Sequence, residues 1–348
     1  MNTIKIISDD DVKSILDLEN TILCVENAYR QKADKRATLL PLVSADLVEG
    51  KADMDIKSGI YQTGNLFGLK LVTWFGDNKI QGLPNLTAMA MVFDLKNGFP
   101  IALINAGYLT AMRTGAAGAV GIKYLANQNA EVLTLVGTGN QAAFQIAAAL
   151  TAVPTIRKVN IYNPRNEKKA HLLQQSIRTK LSGINNSSND FKNENWIQRI
   201  KTVEFYAVNN IQSALEETDA VITITPSSQA LIKKEWVKPG THISCIGADL
   251  PGKQELDETL FRTARIFADD IDQASSVGEI QTAVSLGILP IESIREIGYV
   301  INGNENGRLS NNDITVFDST GIALQDLAVA DYIIRTAEEK NIGTSVTI

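Results

Sequence analysis

The sequence has few of the residues that metal centres and disulfide frameworks need. Its 348 residues include two cysteines, Cys24 and Cys245, and two histidines. Both cysteines have apolar neighbours and lie far apart in the chain, which indicates neither a disulfide framework nor a Cys-x-x-Cys metal site. We expect both to be core residues. The acidic run DDID at 269–272 has no histidine near it, so we predict no metal site.

Long apolar runs and clustered positive charge are also missing. No apolar run is long enough to cross a bilayer, and the N-terminal residues form an early acidic cluster rather than a signal-peptide core. We therefore expect a cytosolic location and no membrane partner. The formal net charge is −6 and the lysines are scattered, which argues against a nucleic-acid partner. The length allows two domains.

The strongest pattern in the chain is a strand, a glycine turn and a helix at residues 131–150. A mostly apolar run that is rich in β-branched residues, Val132–Val136, precedes Gly137-Thr138-Gly139, and an alanine-rich segment follows. In a dinucleotide-binding fold the first glycine makes the turn, the second lets the backbone approach a pyrophosphate, and Ala142 lets the helix pack on the strand. A second predicted strand at 158–162 completes the expected unit. Together these features favour a nucleotide site over a structural glycine turn.

The end of the second strand bears on the choice of cofactor. The strand is followed by Asn163-Pro164-Arg165-Asn166, where an acidic residue would bind the ribose 2′-hydroxyl of NAD. A neutral residue followed by arginine leaves room for a 2′-phosphate. The sequence therefore favours NADP over NAD, with Arg165 as a solvated loop charge as the alternative.

Further strands are predicted at 220–225, 242–246, 264–268 and from 316 onward. Ligands of open α/β sheets bind outside the carboxyl ends of the strands, so we expect residues 223–227 to line the cofactor. Asp249 follows the strand at 242–246, and partial burial there would raise its pKa toward that of an acid–base catalyst. The alternative is an aspartate that binds loop amides before Pro251.

The N-terminal third indicates a separate substructure. A helix is predicted over Ser8 to Lys35, strands follow, and Asn97-Gly98 predicts a hairpin turn. Lys70 interrupts the apolar strand GLKLVTW, either on an outward-facing edge or as an ammonium for an anionic substrate. Arg113 lies in a helix of small residues at 106–125, whose glycines indicate close packing, and its guanidinium needs a carboxylate or phosphate. The polar segment Ser182 to Asn195 is predicted to be a surface insertion.

Six blocks in the chain together resemble the ornithine cyclodeaminase and mu-crystallin family, which includes archaeal-type alanine dehydrogenases and ketimine reductases. The blocks are GLKLVTW, GLPNLTAMAMVFDLKNGFPIAL, YLTAMRTGAAGAV, VGTGNQA, GADLPGKQELD and VFDSTGIALQDLAVA. The resemblance covers nearly all of the chain after residue 68. It implies an α/β fold in a homodimer, with a Rossmann-type NAD(P)-binding domain at 126–319. The remainder, 1–125 with 320–348, is implied to be a discontinuous α+β domain for substrate binding and dimerisation.

The resemblance also implies roles for individual residues. Lys70 corresponds to the substrate-carboxylate lysine, Arg113 to an arginine that contacts the carboxylate or the cofactor, and Asp249 to the acid–base aspartate. The sequence patterns and the resemblance together give these candidate cofactor-binding residues: Arg113, Gly137, Gly139, Asn140, Gln141, Asn163, Arg165, Thr223, Thr225, Gly247, Asp249, Lys253 and Ser319. The family's upstream substrate arginine is not matched, since Leu40-Pro41-Leu42-Val43 stands there. Lys57 and Leu250 are therefore further substrate-site candidates.

The implied chemistry is hydride transfer between a nicotinamide and an amino-acid Cα through an imine. Lys70 and Arg113 would hold the carboxylate while Asp249 handles the proton. Three functions are open: an NAD(P)-dependent imine reductase or amino-acid dehydrogenase, an ornithine cyclodeaminase that regenerates its cofactor, and a mu-crystallin-like binding protein. The unmatched ornithine-specific region favours the first, with a small amino acid, imino acid or 2-oxo acid as substrate. An aspartate at position 249, absent from mu-crystallin-like members, favours an enzyme.

Overall fold

The computed structural model describes residues 3–184 and 190–348. They form two compact units. Unit 1 contains the described residues up to Leu16, together with Leu23–Arg113 and Ile322–Ile348, and unit 2 contains Asp17–Ile22 and Thr114–Gly321. The division predicted from the sequence placed its boundaries after residues 125 and 319. Within the described ranges, no helix has the length and apolar character needed to cross a membrane.

Both units contain helices and strands. The strands are β1 (Thr3–Ile7), β2 (Ala37–Leu39), β3 (Val43–Val48), β4 (Ala52–Tyr61), β5 (Leu66–Phe75), β6 (Leu86–Asp94), β7 (Pro100–Asn105), β8 (Val132–Val136), β9 (Lys158–Tyr162), β10 (Glu204–Val208), β11 (Ala220–Thr223), β12 (Ser228–Ile232), β13 (His242–Cys245), β14 (Gln254–Leu256), β15 (Arg265–Ala268), β16 (Arg295–Glu296), β17 (Thr315–Asp318) and β18 (Thr344–Thr347). The α-helices are α1 (Asp9–Ile15), α2 (Leu18–Ala33), α3 (Gly107–Leu125), α4 (Ala142–Ala152), α5 (Glu167–Ile184), α6 (Asp190–Thr202), α7 (Ile211–Glu217), α8 (Ile271–Val277), α9 (Gln281–Ser285), α10 (Ile297–Ile301) and α11 (Ala323–Glu339).

Unit 1 is built on a mixed sheet in the order β18-β1-β7-β6-β5-β4-β2, with β3 paired to β4. The strands β4 to β7 are antiparallel neighbours. The predicted hairpin between β6 and β7 is confirmed, and Gly98 in its turn has φ +74°, a left-handed conformation that favours glycine. Because β5 lies between β4 and β6, it is an interior strand.

Helix α11 packs on one face of this sheet, against β2, β4, β5 and β6. Two glycines make room for it. A Cβ added at Gly59 would lie 3.2 Å from the Leu324 side chain, and one added at Gly68 would lie 3.1 Å from Leu327. Since side chains alternate along a strand, Gly68 and Lys70 share this covered face.

The helical structure predicted over Ser8 to Lys35 is confirmed for most of the segment, which the structure divides into two helices. The first, α1, begins at a capping box in which the Ser8 side chain accepts from the Asp11 N–H and the Asp11 side chain accepts from the Ser8 N–H. The second begins after Asp17, whose carboxylate accepts from the Asn20 N–H at 2.8 Å. A second capping aspartate therefore starts a new helix inside a segment whose apolar spacing is nearly continuous.

Unit 2 is built on a parallel sheet in the order β10-β9-β8-β11-β13-β17-β15-β16. Strand β8 is central, with β9 and β10 on one side and β11 and β13 on the other. This is the strand order of a Rossmann-type dinucleotide fold, in which ligands bind where the order reverses. The strands predicted at 132–136 and 158–162 are β8 and β9, and the predicted α/β fold class is confirmed.

The small residues of α3 are explained by close packing in unit 2. A Cβ added at Gly115 would lie 2.6 Å from the carbonyl oxygen of Phe144 in α4. One added at Gly121 would collide with Ser244 of β13 and Phe317 of β17. The predicted close packing of this helix is therefore confirmed.

The two cysteines are free thiols. Cys245 lies in β13 and is fully buried, and burial raises the pKa of its thiol. Cys24 lies in α2 and is partly exposed. The prediction of a core position is thus confirmed for Cys245 and only partly met for Cys24.

The predicted surface insertion from Ser182 to Asn195 includes residues 185–189, which lie outside the described residues. Its described ends belong to helices α5 and α6. Gly183, Glu194 and Asn195 at these helical ends are exposed, in agreement with the predicted surface position.

Candidate active site

The glycine turn of unit 2 contains two glycines with different tasks. Gly137 has φ +119°, and a Cβ added there would lie 2.8 Å from the side chain and 2.9 Å from the carbonyl oxygen of Ile224. Its conformation and its neighbour therefore require glycine. Gly139 differs, because an added Cβ would meet no atom within 4 Å. The absence of a side chain at Gly139 thus leaves space open outside the turn, where a dinucleotide fold holds the pyrophosphate.

Gly139→Val is expected to weaken NADH binding by about 100-fold or more, because the added side chain would occupy the phosphate space. Folding should be unaffected, since a Cβ at this position meets no protein atom. A fluorescence titration with NADH and a thermal melt measure the two effects. Gly183→Val is the matched control, since a Cβ added there also meets no atom. Full NADH affinity in a folded Gly139→Val protein would contradict a nucleotide site at this turn.

Asn163 connects the glycine turn to the start of α5. Its side-chain amide donates to Thr138 Oγ1 at 2.6 Å, and its oxygen accepts from the N–H groups of Arg165 and Asn166, both at 2.9 Å. Arg165 itself is exposed. At the position where an acidic residue would bind a ribose hydroxyl, this chain therefore has an amide that shapes the loop.

A cavity of about 600 Å³ lies beside the glycine turn in unit 2. Thr138, Gly139 and Asn140 line it on the side of the turn, and Lys169 and Lys180 of α5 line it on the other. Neither lysine was singled out in the sequence, where both are ordinary charges on a polar helix. Their positions add positive charge next to the predicted phosphate site.

The loops after β11 and β13 are joined by the buried carboxyl group of Glu255. Its Oε1 accepts from the Thr225 N–H at 2.6 Å and its Oε2 from the Gly247 N–H at 3.1 Å. Burial raises the pKa of Glu255 to about 7. Thr225 and Gly247, both predicted to bind the cofactor, are thus held together by Glu255. Glu255 lies in the block GADLPGKQELD but was not predicted as a site residue, because its burial is not visible in the sequence.

Asp249 is more exposed than we predicted. Its side chain is 47% exposed and forms an ion pair with Lys253. Strand β13 ends at Cys245, so Asp249 lies four residues beyond the sheet in a loop. The predicted partial burial is therefore wrong, because a position just after a buried strand is at the surface once the chain has left the sheet. The structure does place Asp249 beside Lys253, which was also predicted to belong to the site.

The turn that follows β17 is fixed by another buried carboxylate. Asp269 accepts from the hydroxyl groups of Ser319 and Thr320, each at 3.0 Å, and from the Gly321 N–H at 2.9 Å. Ser319, a predicted cofactor-binding residue, thus lies in a turn whose shape Asp269 determines. Its hydroxyl hydrogen is already donated within the protein.

Unit 1 contains a cluster of buried charges around Lys70. The Lys70 ammonium donates to Asp326 Oδ1 at 2.6 Å and to Thr110 Oγ1 at 3.3 Å. Arg113 Nε donates to the same Asp326 oxygen at 3.0 Å. The exposed fraction of each charged side chain is 7% or less. The interpretation of Lys70 as an outward-facing edge residue is therefore wrong, and two predicted substrate-binding residues lie together.

Helix α11 contributes two residues to the cluster that the sequence analysis did not single out, Gln325 and Asp326. Gln325 accepts from Arg113 Nη1 at 3.0 Å and donates to the Tyr29 hydroxyl at 2.5 Å. The second oxygen of Asp326, Oδ2, is buried without a hydrogen-bond partner. In the sequence both residues look like ordinary polar positions at the start of a helix, so no local signal identifies them.

Burial and neighbouring charges shift the ionisation of this cluster. Burial lowers the pKa of Lys70 to about 7, and the positive charge of Arg113 acts in the same direction. Burial acts to raise the pKa of Asp326, but the charges of Arg113 and Lys70 outweigh it and lower that pKa below its usual value. Lys57, the Cα partner of Lys70 on β4, contributes to both shifts. Two buried cations on one carboxylate leave a net positive charge at this site, which suits an anion.

The chain is similar to known proteins over nearly its whole length. The model of the ornithine cyclodeaminase/mu-crystallin family matches residues 3–341. Three solved structures are similar over nearly all of both chains. They are an archaeal alanine dehydrogenase dimer with bound NAD (34% identity, 100% of each chain, TM-score 0.86), the iminosuccinate reductase of Paracoccus denitrificans in complex with NAD+ (31% identity, 100% of each chain, TM-score 0.87), and the Δ1-pyrroline-2-carboxylate reductase of Thermococcus litoralis in complex with NADH and L-proline (25% identity, 99% of this chain and 100% of that chain, TM-score 0.85). The chain therefore belongs to the ornithine cyclodeaminase/mu-crystallin family.

Proposed function

We propose that this protein is an NAD(P)-dependent imine reductase or amino-acid dehydrogenase that acts on the Cα–N bond of a small amino acid or its imine. The observation that carries the proposal is the buried cationic pair of Lys70 and Arg113 in unit 1. The molecules named for the three similar enzymes are alanine, iminosuccinate and pyrroline-2-carboxylate. They share a carboxylate next to the carbon–nitrogen bond that reacts, and such a group fits two buried cations.

In the proposed reaction Lys70 and Arg113 bind the substrate carboxylate. A guanidinium and an ammonium offer several directed N–H donors, and their burial strengthens the attraction because water screens the charges less. Fixing the carboxylate fixes the orientation of the neighbouring Cα and nitrogen. Lys57, on the same face of the sheet, adds positive charge to the site, and Leu250 is proposed as an apolar contact.

We propose that unit 2 binds the dinucleotide and that Asp249 transfers the proton to and from the substrate nitrogen. NAD(P), when bound, supplies or accepts the hydride. Gly139, Asn140 and Gln141 would hold the pyrophosphate at the start of α4. The loops with Thr223, Thr225, Gly247, Lys253 and Ser319 would line the remainder of the cofactor site. The proton-transfer role of Asp249 is supported by its position in the loop beyond the carboxyl end of β13 and by the ion pair that keeps Lys253 beside it.

For the cofactor we propose a preference for NADP over NAD. It is supported by Asn163, which replaces the acidic residue typical of NAD sites, and by the nearby cation Arg165.

The expected result of Arg165→Ala is about tenfold weaker NADPH binding with little change for NADH, because the lost pairing involves the 2′-phosphate. Titrations of both nucleotides measure the difference. Lys168→Ala, a change at another exposed cation of the same segment, is the control. Equal weakening for both nucleotides would argue against the preference.

We also propose that unit 1 mediates a homodimer. The sheet face opposite α11 is apolar: Ile56, Leu71 and Met89 are aligned across β4, β5 and β6, and Phe67 stacks on Phe93 with ring centroids 5.1 Å apart. Met89 is 38% exposed. A continuous apolar face of this kind favours contact with another protein surface, and the similar archaeal alanine dehydrogenase is a dimer. Light scattering on the assayed preparation measures the mass.

The function is tested with an absorbance assay of NADPH and NADH against 2-oxo acids with ammonia and against cyclic imines. An ammonia assay with ornithine is run beside it. Net oxidation of the nucleotide is expected. Ammonia from ornithine without net nucleotide change would instead identify a cyclodeaminase. Tight nucleotide binding without either reaction would identify a binding protein.

A further inference from the structure

The cluster around Lys70 contains a carboxylate to which the proposed reaction assigns no task. We infer that Asp326 is a positioning residue, which holds Lys70 and Arg113 side by side and keeps Lys70 protonated for the substrate carboxylate. The inference rests on the proposed function, in which these two cations bind that carboxylate.

The geometry supports this role directly. One oxygen of Asp326, Oδ1, accepts from Lys70 Nζ at 2.6 Å and from Arg113 Nε at 3.0 Å. Lys70 Nζ and Arg113 Nε are therefore at most two hydrogen-bond lengths apart, and both side chains are buried. Like charges so close repel strongly in a medium of low dielectric constant. A shared anion between them offsets part of that repulsion and fixes the direction in which each cation points.

The neighbouring residue on α11 supports the same arrangement. Gln325 accepts from Arg113 Nη1 at 3.0 Å and donates to the Tyr29 hydroxyl at 2.5 Å. Arg113 is thus held by two consecutive side chains of one helix. Lys70 has a second contact in the Thr110 hydroxyl, at 3.3 Å. Because both cations are held by groups of the protein, they are oriented before a substrate arrives.

The charges that face Lys70 come from three elements. Arg113 on α3 and Lys57 on β4 favour the neutral amine, whereas Asp326 on α11 favours the ammonium. The residue aligned with Lys70 on β6 is the uncharged Ala90. Burial lowers the pKa of Lys70 to about 7 even with Asp326 present. Loss of the Asp326 charge would therefore leave Lys70 largely neutral at neutral pH, and a neutral amine binds a carboxylate weakly.

The test is Asp326→Asn, which keeps the size of the side chain and removes its charge. The pKa of Lys70 is measured by nitrogen NMR of protein labelled at the lysine Nζ atoms, with the signal assigned by its loss in Lys70→Met. We expect the pKa of Lys70 to fall by at least about one unit, a tenfold smaller ratio of ammonium to amine at a given pH.

The second measurement is the KM of pyruvate with ammonia and NADH between about pH 5 and pH 9. In the wild-type protein, KM should rise as the pH passes the pKa of Lys70. In Asp326→Asn the rise should begin at least about one pH unit lower, with a smaller effect on kcat than on KM. A merely structural role would raise KM by the same factor at every pH. That result, or an unchanged pKa of Lys70, would overturn the inference.

Two further variants act as controls. Asp331→Asn makes the same chemical change on α11 at an aspartate that pairs with Arg335, and it should leave the pKa of Lys70 and the pH profile unchanged. Asp326→Glu retains the charge and should keep the pKa of Lys70 within about half a unit. If Asp326→Asn does not fold, Asp326→Glu decides the question, and a fall of one unit or more in that variant would overturn the inference.

The two proposals fail in different ways. If the wild-type protein reduces no oxo acid or imine, the proposed function fails, and the NMR measurement still tests whether Asp326 keeps Lys70 charged. If the enzyme is active and the pKa of Lys70 is the same in Asp326→Asn, the role of Asp326 alone is wrong.

Discussion

Lys70→Met is expected to lower kcat/KM for the carboxylate substrate by about 10³-fold, because removal of one partner from a buried charge pair costs several kcal/mol. Methionine has a similar length and fits a buried site. Asp326 would keep its bond to Arg113, so the fold should be retained. Nucleotide affinity should be unchanged, since the proposed nucleotide site is in unit 2. Steady-state kinetics, an NADH titration and a thermal melt on one preparation measure all three quantities.

Lys5→Met is the matched control. Lys5 is another lysine of unit 1 and is partly buried, but its ammonium donates to the backbone oxygens of Ala337 and Ile342. The loss of a lysine there should affect stability alone. If kcat/KM changes by the same factor in both variants, Lys70 has no special part in substrate binding.

Asp249→Asn is expected to lower kcat by roughly 100-fold or more, the scale of general acid–base catalysis. The amide keeps the shape of the side chain and removes the group that exchanges the proton. Because Asp249 is exposed in a loop after β13, its replacement should change the melting temperature little. Nucleotide Kd should also change little, and kcat, Kd and melting temperature are measured together.

Asp272→Asn makes the same change at an exposed aspartate in the first turn of α8 and should leave kcat unchanged. Near-wild-type kcat in Asp249→Asn would falsify its catalytic role. A lower melting temperature with normal turnover per folded molecule would show instead that Asp249 stabilises its loop.

The sequence was sufficient for the parts of the fold that depend on local backbone preference. Apolar runs predicted β8 and β9, Asn97-Gly98 predicted the turn between β6 and β7, and the two glycines predicted the turn before α4. Each of these patterns acts over a few residues, and glycine acts through its own conformational freedom. For the same reason the six blocks along the chain were enough to indicate the family.

Predictions of burial from position in the sequence were less reliable. Lys70 had two interpretations, edge strand or cleft, until the pairing of β5 with both β4 and β6 placed it inside the sheet. Asp249 follows a buried strand but is 47% exposed. Burial depends on which elements pack above and beside a residue, and local sequence does not specify them.

The sequence by itself identified Lys70 and Arg113, the two cations of the unit 1 cluster. A lysine in an apolar strand and an arginine in a helix of small residues are both unusual enough to be noticed. The tertiary structure decided which anion they meet. Asp326 lies 256 positions from Lys70 and 213 from Arg113, and in its own helix it looks like any polar residue. Pairing over such distances arises only when α11 packs on the sheet. Buried charges must then be satisfied by whatever groups the packing brings together, and this is why the carboxylate appears only in the folded protein.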